Sequence, residues 1–257
     1  MTKQCSLKGL PVNNVIPVVR GRYMRNQIEI AHREMRGMCA TAAQRAEIDR
    51  IWALRRAENA TIFDGLQVRL DGWQATAEKL LLSTSLTSYR EFIGTNLNHP
   101  EWLKTLGDDF LSNPIGVSGT IKTADNFLIF GVRGSKVAEY SGYIDTIGGN
   151  LSPTLHLTDG KIDPFKAFIS EVCEELTVTE PQINSVFSAG LWRNAETLRP
   201  ELVFRSSLSI NSSSIRPVGH EHKDLMFVSS EELSTFIELH YKEITPSCTA
   251  ALIDLLE

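Results

Sequence analysis

Only four cysteines occur in 257 residues, at Cys5, Cys39, Cys173 and Cys248, and no two of them form a Cys-x-x-Cys pair. That spacing gives neither a structural zinc site nor a disulfide framework, and scattered free thiols suit a reducing compartment. No apolar run approaches membrane-span length, and the opening Met-Thr-Lys-Gln-Cys-Ser-Leu-Lys lacks the apolar stretch of a secretory leader. A cytoplasmic protein without a membrane partner is therefore expected. A basic excess is missing too: Lys+Arg 26 against Asp+Glu 31 gives a net charge of −5. Nucleic-acid surfaces carry clustered positive charge, so no nucleic-acid partner is expected. There is no internal repeat and no low-complexity tract. What remains is the composition of an ordinary globular protein, 42% hydrophobic and 22% charged, long enough to bury a sizeable core.

The charge is unevenly spread. Residues 1–112 carry 15 Lys+Arg against 12 Asp+Glu, or +3, whereas the rest carries 11 against 19, or −8. The pattern of elements changes at the same place. Residues 1–20 read as an extended lead-in. Residues 22–57 are rich in Arg, Glu, Ala and Met at near-helical spacing, with Ile48, Ile51, Trp52 and Arg55 on one helix that Asn59 can end. Leu66–Leu70 alternates like a half-buried strand, Asp71-Gly72 supplies turn chemistry, and Ala77–Ser85 can pair back. A short capped helix over Thr87–Ile93 and another over Glu101–Leu111 follow, closed by Asn113-Pro114. Thus 1–112 is expected to be a helix-and-hairpin region packed on a core formed by 113–257.

In that second part Ile115–Thr123 and Asn126–Val132 read as a hairpin, and Tyr143–Ile147 is a short strand entering Gly148-Gly149. Asp163, with Pro164 behind it, N-caps a helix to about Thr177. Three strands, Ile183–Trp192, Leu202–Ile210 and Leu225–Val228, precede two helices, one from Ser229 onward and one over Pro246–Leu256. Strands, helix, strands, helix is the order of an α/β or α+β layered fold.

The chemistry concentrates in Ile169-Ser-Glu-Val-Cys-Glu-Glu-Leu-Thr-Val178. On a helix Glu171, Glu174 and Glu175 occupy i, i+3 and i+4, hence one face. Three like charges repel there and oppose the macrodipole of the C-terminal half. A hard cation, Mg²⁺ or Mn²⁺, relieves that cost, because it takes carboxylate oxygens together with water and phosphate. The apolar residues Phe165, Phe168, Ile169, Val172 and Leu176 give the same helix a core-facing stripe. An amphipathic helix with a glutamate-rich surface has the same spacing, and the upstream Gly-Gly after a strand favours the metal reading.

Gly149 followed by Glu171, Val172, Glu174, Glu175 and Val178 resembles the Nudix box, the metal-holding helix of Nudix hydrolases. The box is partial. Leu155 and Ser170 stand where Glu and Arg are expected, Thr177 stands for Gly, and the interval between the two halves is about seven residues longer than the family pattern. Asp159 or Asp163 could supply the missing carboxylate, although Asp163 is equally an N-cap. A narrower likeness lies outside the box. Ser85-Leu-Thr-Ser-Tyr-Arg-Glu-Phe-Ile-Gly-Thr-Asn96, Asn113-Pro-Ile-Gly-Val117 with Thr123–Phe130, Lys136-Val-Ala-Glu139, Gly190–Asn194 and Pro200–Phe204 are similar to animal Nudix proteins that hydrolyse UDP-glucose and UDP-galactose. The likeness covers roughly residues 60 to 250.

The resemblance implies a Nudix α/β/α sandwich with a mixed sheet. It also implies Mg²⁺ on Glu171, Glu174 and Glu175, and a small nucleotide-sugar substrate split into UMP and sugar 1-phosphate. Gly148, Gly149, Tyr89, Arg90, Arg133, Arg193 and Glu201 are the candidate substrate-binding residues. Lys136 and Arg205 are further phosphate partners and Glu196 a further carboxylate. His220-x-His222 lacks a third ligand and reads as loop histidines; Cys173 reads as filler. Two other readings remain open at this stage: a nucleotide-sugar binding protein with a degenerate box, and a Nudix hydrolase of another diphosphate such as ADP-ribose or a coenzyme A derivative. The oligomeric state is not encoded in any of these features.

Overall fold

The computed structural model describes residues 12–135, 137, 139–219 and 221–256. Alternating apolar positions build its main sheet. In Pro200–Leu208 (β12 below), Leu202 and Phe204 turn to one face while Val203 turns to the other, and each joins a different buried cluster. A strand buried on both faces needs helices on both sides.

The strands are β1 (Val15–Tyr23), β2 (Ile28–Arg36), β3 (Leu66–Ala75), β4 (Leu80–Ser88), β5 (Gly116–Lys122), β6 (Phe127–Arg133), β7 (Ile144–Asp145), β8 (Ile147–Asn150), β9 (Leu157–Thr158), β10 (Lys161–Ile162), β11 (Ile183–Asn194), β12 (Pro200–Leu208) and β13 (His222–Ser229). The helices are α1 (Ala42–Glu58), α2 (Tyr89–Phe92), α3 (Trp102–Leu106), α4 (Pro164–Glu175), α5 (Leu233–His240) and α6 (Pro246–Leu256). The mixed main sheet runs β1-β11-β12-β5-β6-β13, with β8 added to β5 and β7 to β6. Only β12 and β5 pair in parallel within it, Glu201 opposite Gly116 and Phe204 opposite Gly119.

One face is covered by α4, whose Phe165 and Phe168 pack edge-on and stacked on Phe204 at 5.2 and 4.9 Å. On the other face lie α5 and α6, around Phe130, Val203, Phe236 and Leu252. This is the expected α/β/α sandwich. A separate three-stranded sheet, β2-β4-β3, adds Val68, Leu70, Leu80 and Leu82 to the α4-side core.

Two expectations for the first part of the chain are corrected. Residues 22–57 are not helical throughout: β1, a short 3-10 turn and β2 precede α1, which Thr41 caps by accepting from the Gln44 N–H at 3.3 Å. Arg, Glu and Met favour helices, but Ile28, Ile30 and His32 alternate with exposed neighbours, and that period of two prevails because β2 pairs in parallel with β4. Asp71-Gly72 is not a turn. It is a bulge inside β3, where Asp71 is claimed by Arg33, Arg69 and Ser85. The turn lies at Thr76–Lys79. The lead-in is extended where described, but β1 pairs with β11 in the main sheet, so a division at residue 112 cuts across that sheet.

Candidate active site

The site grows from α4 and the strand beside it. Asp163 accepts from the Phe165 and Lys166 backbone N–H groups at 2.9 and 3.2 Å, starting the helix just after the long loop. Asp163 is also engaged by Arg25 at 3.0 Å and Thr158 at 2.8 Å. It is spent on structure and is not a spare carboxylate; Asp159 is exposed at a positive φ of 50°. Twelve residues of helix bring Glu171 and Glu175 to the inner side of its last turns, whereas Glu174 is exposed. Glu171 lies against Gly149 so closely that a Cβ there would overlap Glu171 Oε1. The Gly148-Gly149 pair, in β8 opposite Ser118 and Val117, is therefore bare by necessity.

Burial, then the charges of Glu175, Glu221 and Glu174, pushes the Glu171 carboxyl up to about 8. Burial, then Glu221 and Asp145, pushes Glu175 up to about 9. Glu175 is 4% exposed; its Oε1 has no hydrogen-bond partner, and its Oε2 meets His222 Nε2 at 2.9 Å. Buried oxygens of this kind are costly unless another group satisfies them.

Beside this pair opens a cavity of about 730 Å³. Its lining includes Arg133, Glu139, Asp145, Gly148, Gly149, Arg199, Glu201 and Glu221 together with Phe63, Leu66, Tyr89 and Leu155. Arg133 holds Asp145 at 3.0 Å and the Glu139 carbonyl at 3.1 Å. Arg199 reaches Asn150 Oδ1 at 3.1 Å and lies 3.7 Å from Glu201 Oε2. Burial pushes the Glu139 and Glu201 carboxyls up, against the pull of Arg199. Phe63 is 78% exposed on the rim, unusual for an aromatic side chain with nothing to cover it.

Of the candidate substrate residues, Gly148, Gly149, Tyr89, Arg133 and Glu201 meet in this cavity. Arg90 does not: it pairs with Asp49 and Asp64 at 3.2 and 3.3 Å. Arg193 is engaged in a two-point pair with Asp108 at 2.9 and 3.1 Å, outside the large cavity. Arg205 lies over Phe187 and Glu196 is exposed in the loop before β12. Lys136 and His220 lie outside the described residues. The loop reading of His222 is corrected: it opens β13 and is buried against Glu175.

The segment Ser85–Asn96 is mostly framework. Asn96 donates to Asn113 Oδ1 and the Thr197 carbonyl, both at 2.9 Å, and Thr95 and Thr87 bond Ser112. Sequence reasoning missed Asp145, Glu139, Arg199, Glu221 and His222. The one available signal was the i, i+2 spacing of Arg199 and Glu201 at the start of a strand, which puts both side chains on one face.

The donor set fits a hard divalent cation. Glu171 and Glu175 offer carboxylate oxygens, one of them buried without a partner, and an added positive charge reverses the repulsion that now raises both groups. Among the described residues no three His, Cys, Asp or Glu side chains gather into a complete cage. The remaining positions of such an ion fall to water and phosphate oxygens, as is usual for Mg²⁺.

No family model matches the chain. Among curated proteins it is 28% identical over 240 residues to uridine diphosphate glucose pyrophosphatase NUDT22 of Homo sapiens, covering 80% of this chain and 79% of that one. It is 27% identical over 224 residues to Nudix hydrolase 9 of Arabidopsis thaliana, covering 72% of each. Among solved structures, a bifunctional NMN adenylyltransferase/ADP ribose pyrophosphatase from Francisella tularensis aligns with a TM-score of 0.41 at 17% identity, over 65% of this chain and 47% of that one.

Proposed function

We propose that the chain is a Nudix hydrolase whose substrate is a nucleotide sugar, UDP-glucose or UDP-galactose, cleaved at the diphosphate into UMP and sugar 1-phosphate. The observation that carries the reading is the lining of the cavity, which combines Arg133 and Arg199 among carboxylates with Phe63, Tyr89 and Leu66. A diphosphate needs the first group and a flat base the second. The volume, about 730 Å³, falls within the range of pockets for ligands of this size. The 28% identity to a UDP-glucose pyrophosphatase agrees with it.

In this reading Glu171 and Glu175 hold Mg²⁺, which supplies charge neutralisation at the phosphoryl oxygens and a lowered pKa for water. The protein's own groups do the rest. Arg133 and Arg199 bind and orient the diphosphate. Gly149, on the cavity lining, leaves room for the Glu171 carboxylate beside it. Glu201 or Glu139, each kept high in pKa by burial, is placed to exchange a proton with water or leaving group.

Incubating the protein with UDP-glucose or UDP-galactose and Mg²⁺ is expected to release UMP, seen by chromatography. Absence of UMP from both, while ADP-ribose or a coenzyme A derivative is cleaved under the same conditions, would reassign the substrate.

A further inference from the structure

His222 is a buried imidazole with one hydrogen bond. Its Nε2 lies 2.9 Å from Glu175 Oε2, and its Nδ1 has no hydrogen-bond partner. The room for it is built into the neighbouring strand. His222 pairs in register with Arg133 across β13 and β6, and at Gly131 a Cβ would overlap His222 Nδ1. The segment before β13 is tied to the same end of α4. The Val218 N–H donates to the Glu175 carbonyl at 2.7 Å, the Thr177 N–H donates to the Arg216 carbonyl at 3.0 Å, and Leu176 bridges to Pro217. Glu175 is thus held at its backbone by Val218 and at its side chain by His222. Of its two oxygens, Oε2 meets His222, while Oε1 has no hydrogen-bond partner within 3.5 Å among the described residues.

We propose that His222 is a positioning residue: by holding Oε2 it fixes the carboxylate of Glu175 so that Oε1 alone is presented to the cation, with Gly131 as the cradle that admits the ring. The proposal rests on Glu175 being a cation ligand, as in the hydrolase reading above. An unheld carboxylate rotates about its last side-chain bond and presents either oxygen, and removing an outer partner of a ligand typically costs ~10–100-fold in metal affinity or activity. The Nε2–H of the ring can be replaced in kind, since a glutamine amide N–H reaches about as far.

The test compares wild type, His222→Ala, His222→Gln and Gly131→Ala. Mg²⁺ and Mn²⁺ binding to the substrate-free protein is measured by calorimetry, and kcat and KM for UDP-glucose are measured separately. His222→Ala is expected to bind Mg²⁺ about tenfold or more weakly and to lose kcat by a similar factor, with KM within about twofold. His222→Gln is expected to restore most of both, and Gly131→Ala to behave like His222→Ala. Restoration by glutamine shows that an N–H donor at this position suffices and the imidazole ring itself is not required. Wild-type Mg²⁺ affinity in His222→Ala, or His222→Gln as weak as His222→Ala, overturns the proposal even if UMP is produced. If no UDP-sugar is cleaved but Mg²⁺ affinity falls in His222→Ala and returns in His222→Gln, the proposal stands and the substrate reading fails. A wild-type protein that binds neither cation overturns the proposal outright.

Discussion

Single carboxylates decide the chemistry, and their surroundings differ although their sequence positions are adjacent. Glu171 and Glu175 face inward with strongly raised pKa values, while Glu174, one position away, is exposed. Equal treatment of the three in sequence terms gives way to a ranking. Glu171→Gln and Glu175→Gln are each expected to lower turnover by at least about a hundredfold, the scale of losing a key electrostatic group. Glu174→Gln is expected to lower it by less than about tenfold, because a side chain in water has less influence on the reacting charge. Steady-state UMP release by the three variants checks the order, with Glu174→Gln the slowest of the three as the result that would refute it.

At the scale of elements, α4 shows what patterning can and cannot tell. Its apolar stripe, its N-cap and its glutamates were all legible, because each is a local relation between residues within one or two turns. The cap has a measurable worth: Asp163→Ala is expected to cost about 1 kcal/mol for the cap, plus a smaller amount for the half-exposed Arg25 partner. Urea denaturation at neutral pH would read it. The strand β2 was less legible. Its Arg, Glu and Met favour helix by composition, and only pairing with β4, far along the chain, makes it a strand; β1 read as extended, but its place beside β11 was not visible. For the same reason Asp145, Arg199 and Glu221 escaped notice, and His222 was read only as a loop histidine. Asp145, Arg199 and the Glu221-His222 pair come from three separate parts of the chain, and no local spacing marks them as neighbours. The Ser85–Asn96 segment was recognisable and yet misread in part, since Arg90 and Asn96 serve ion pairs and a buried network while Tyr89 reaches the cavity.

For the whole molecule, the cavity lining draws on residues 61–67 and 89 from the first part of the chain and on residues from Ser118 onward from the second. The two parts are joined by the Asp108–Arg193 pair, the Arg193 side chain being 10% exposed and the Asp108 side chain 37%. Burial pushes the Asp108 carboxyl up, but Arg193 holds it below its ordinary value on balance. A depressed carboxyl contributes stability above its unfolded pKa and loses it as pH falls through the folded value. Asp108→Asn is therefore expected to destabilise the protein by about 1–2 kcal/mol at pH 7. That difference is expected to shrink as pH falls below the unfolded carboxyl's ~3.9 and on through the lower folded value. Thermal melts of both proteins across that range measure it; a gap independent of pH would show that charge is not what joins the parts there. The shared cavity also bears on inheritance. A gene segment encoding only residues 113 onward would carry the glutamate helix and the arginines but neither Phe63, Tyr89 nor the edge strand β1. The hydrolytic half could not be moved between proteins as a cassette without leaving its means of choosing a substrate behind.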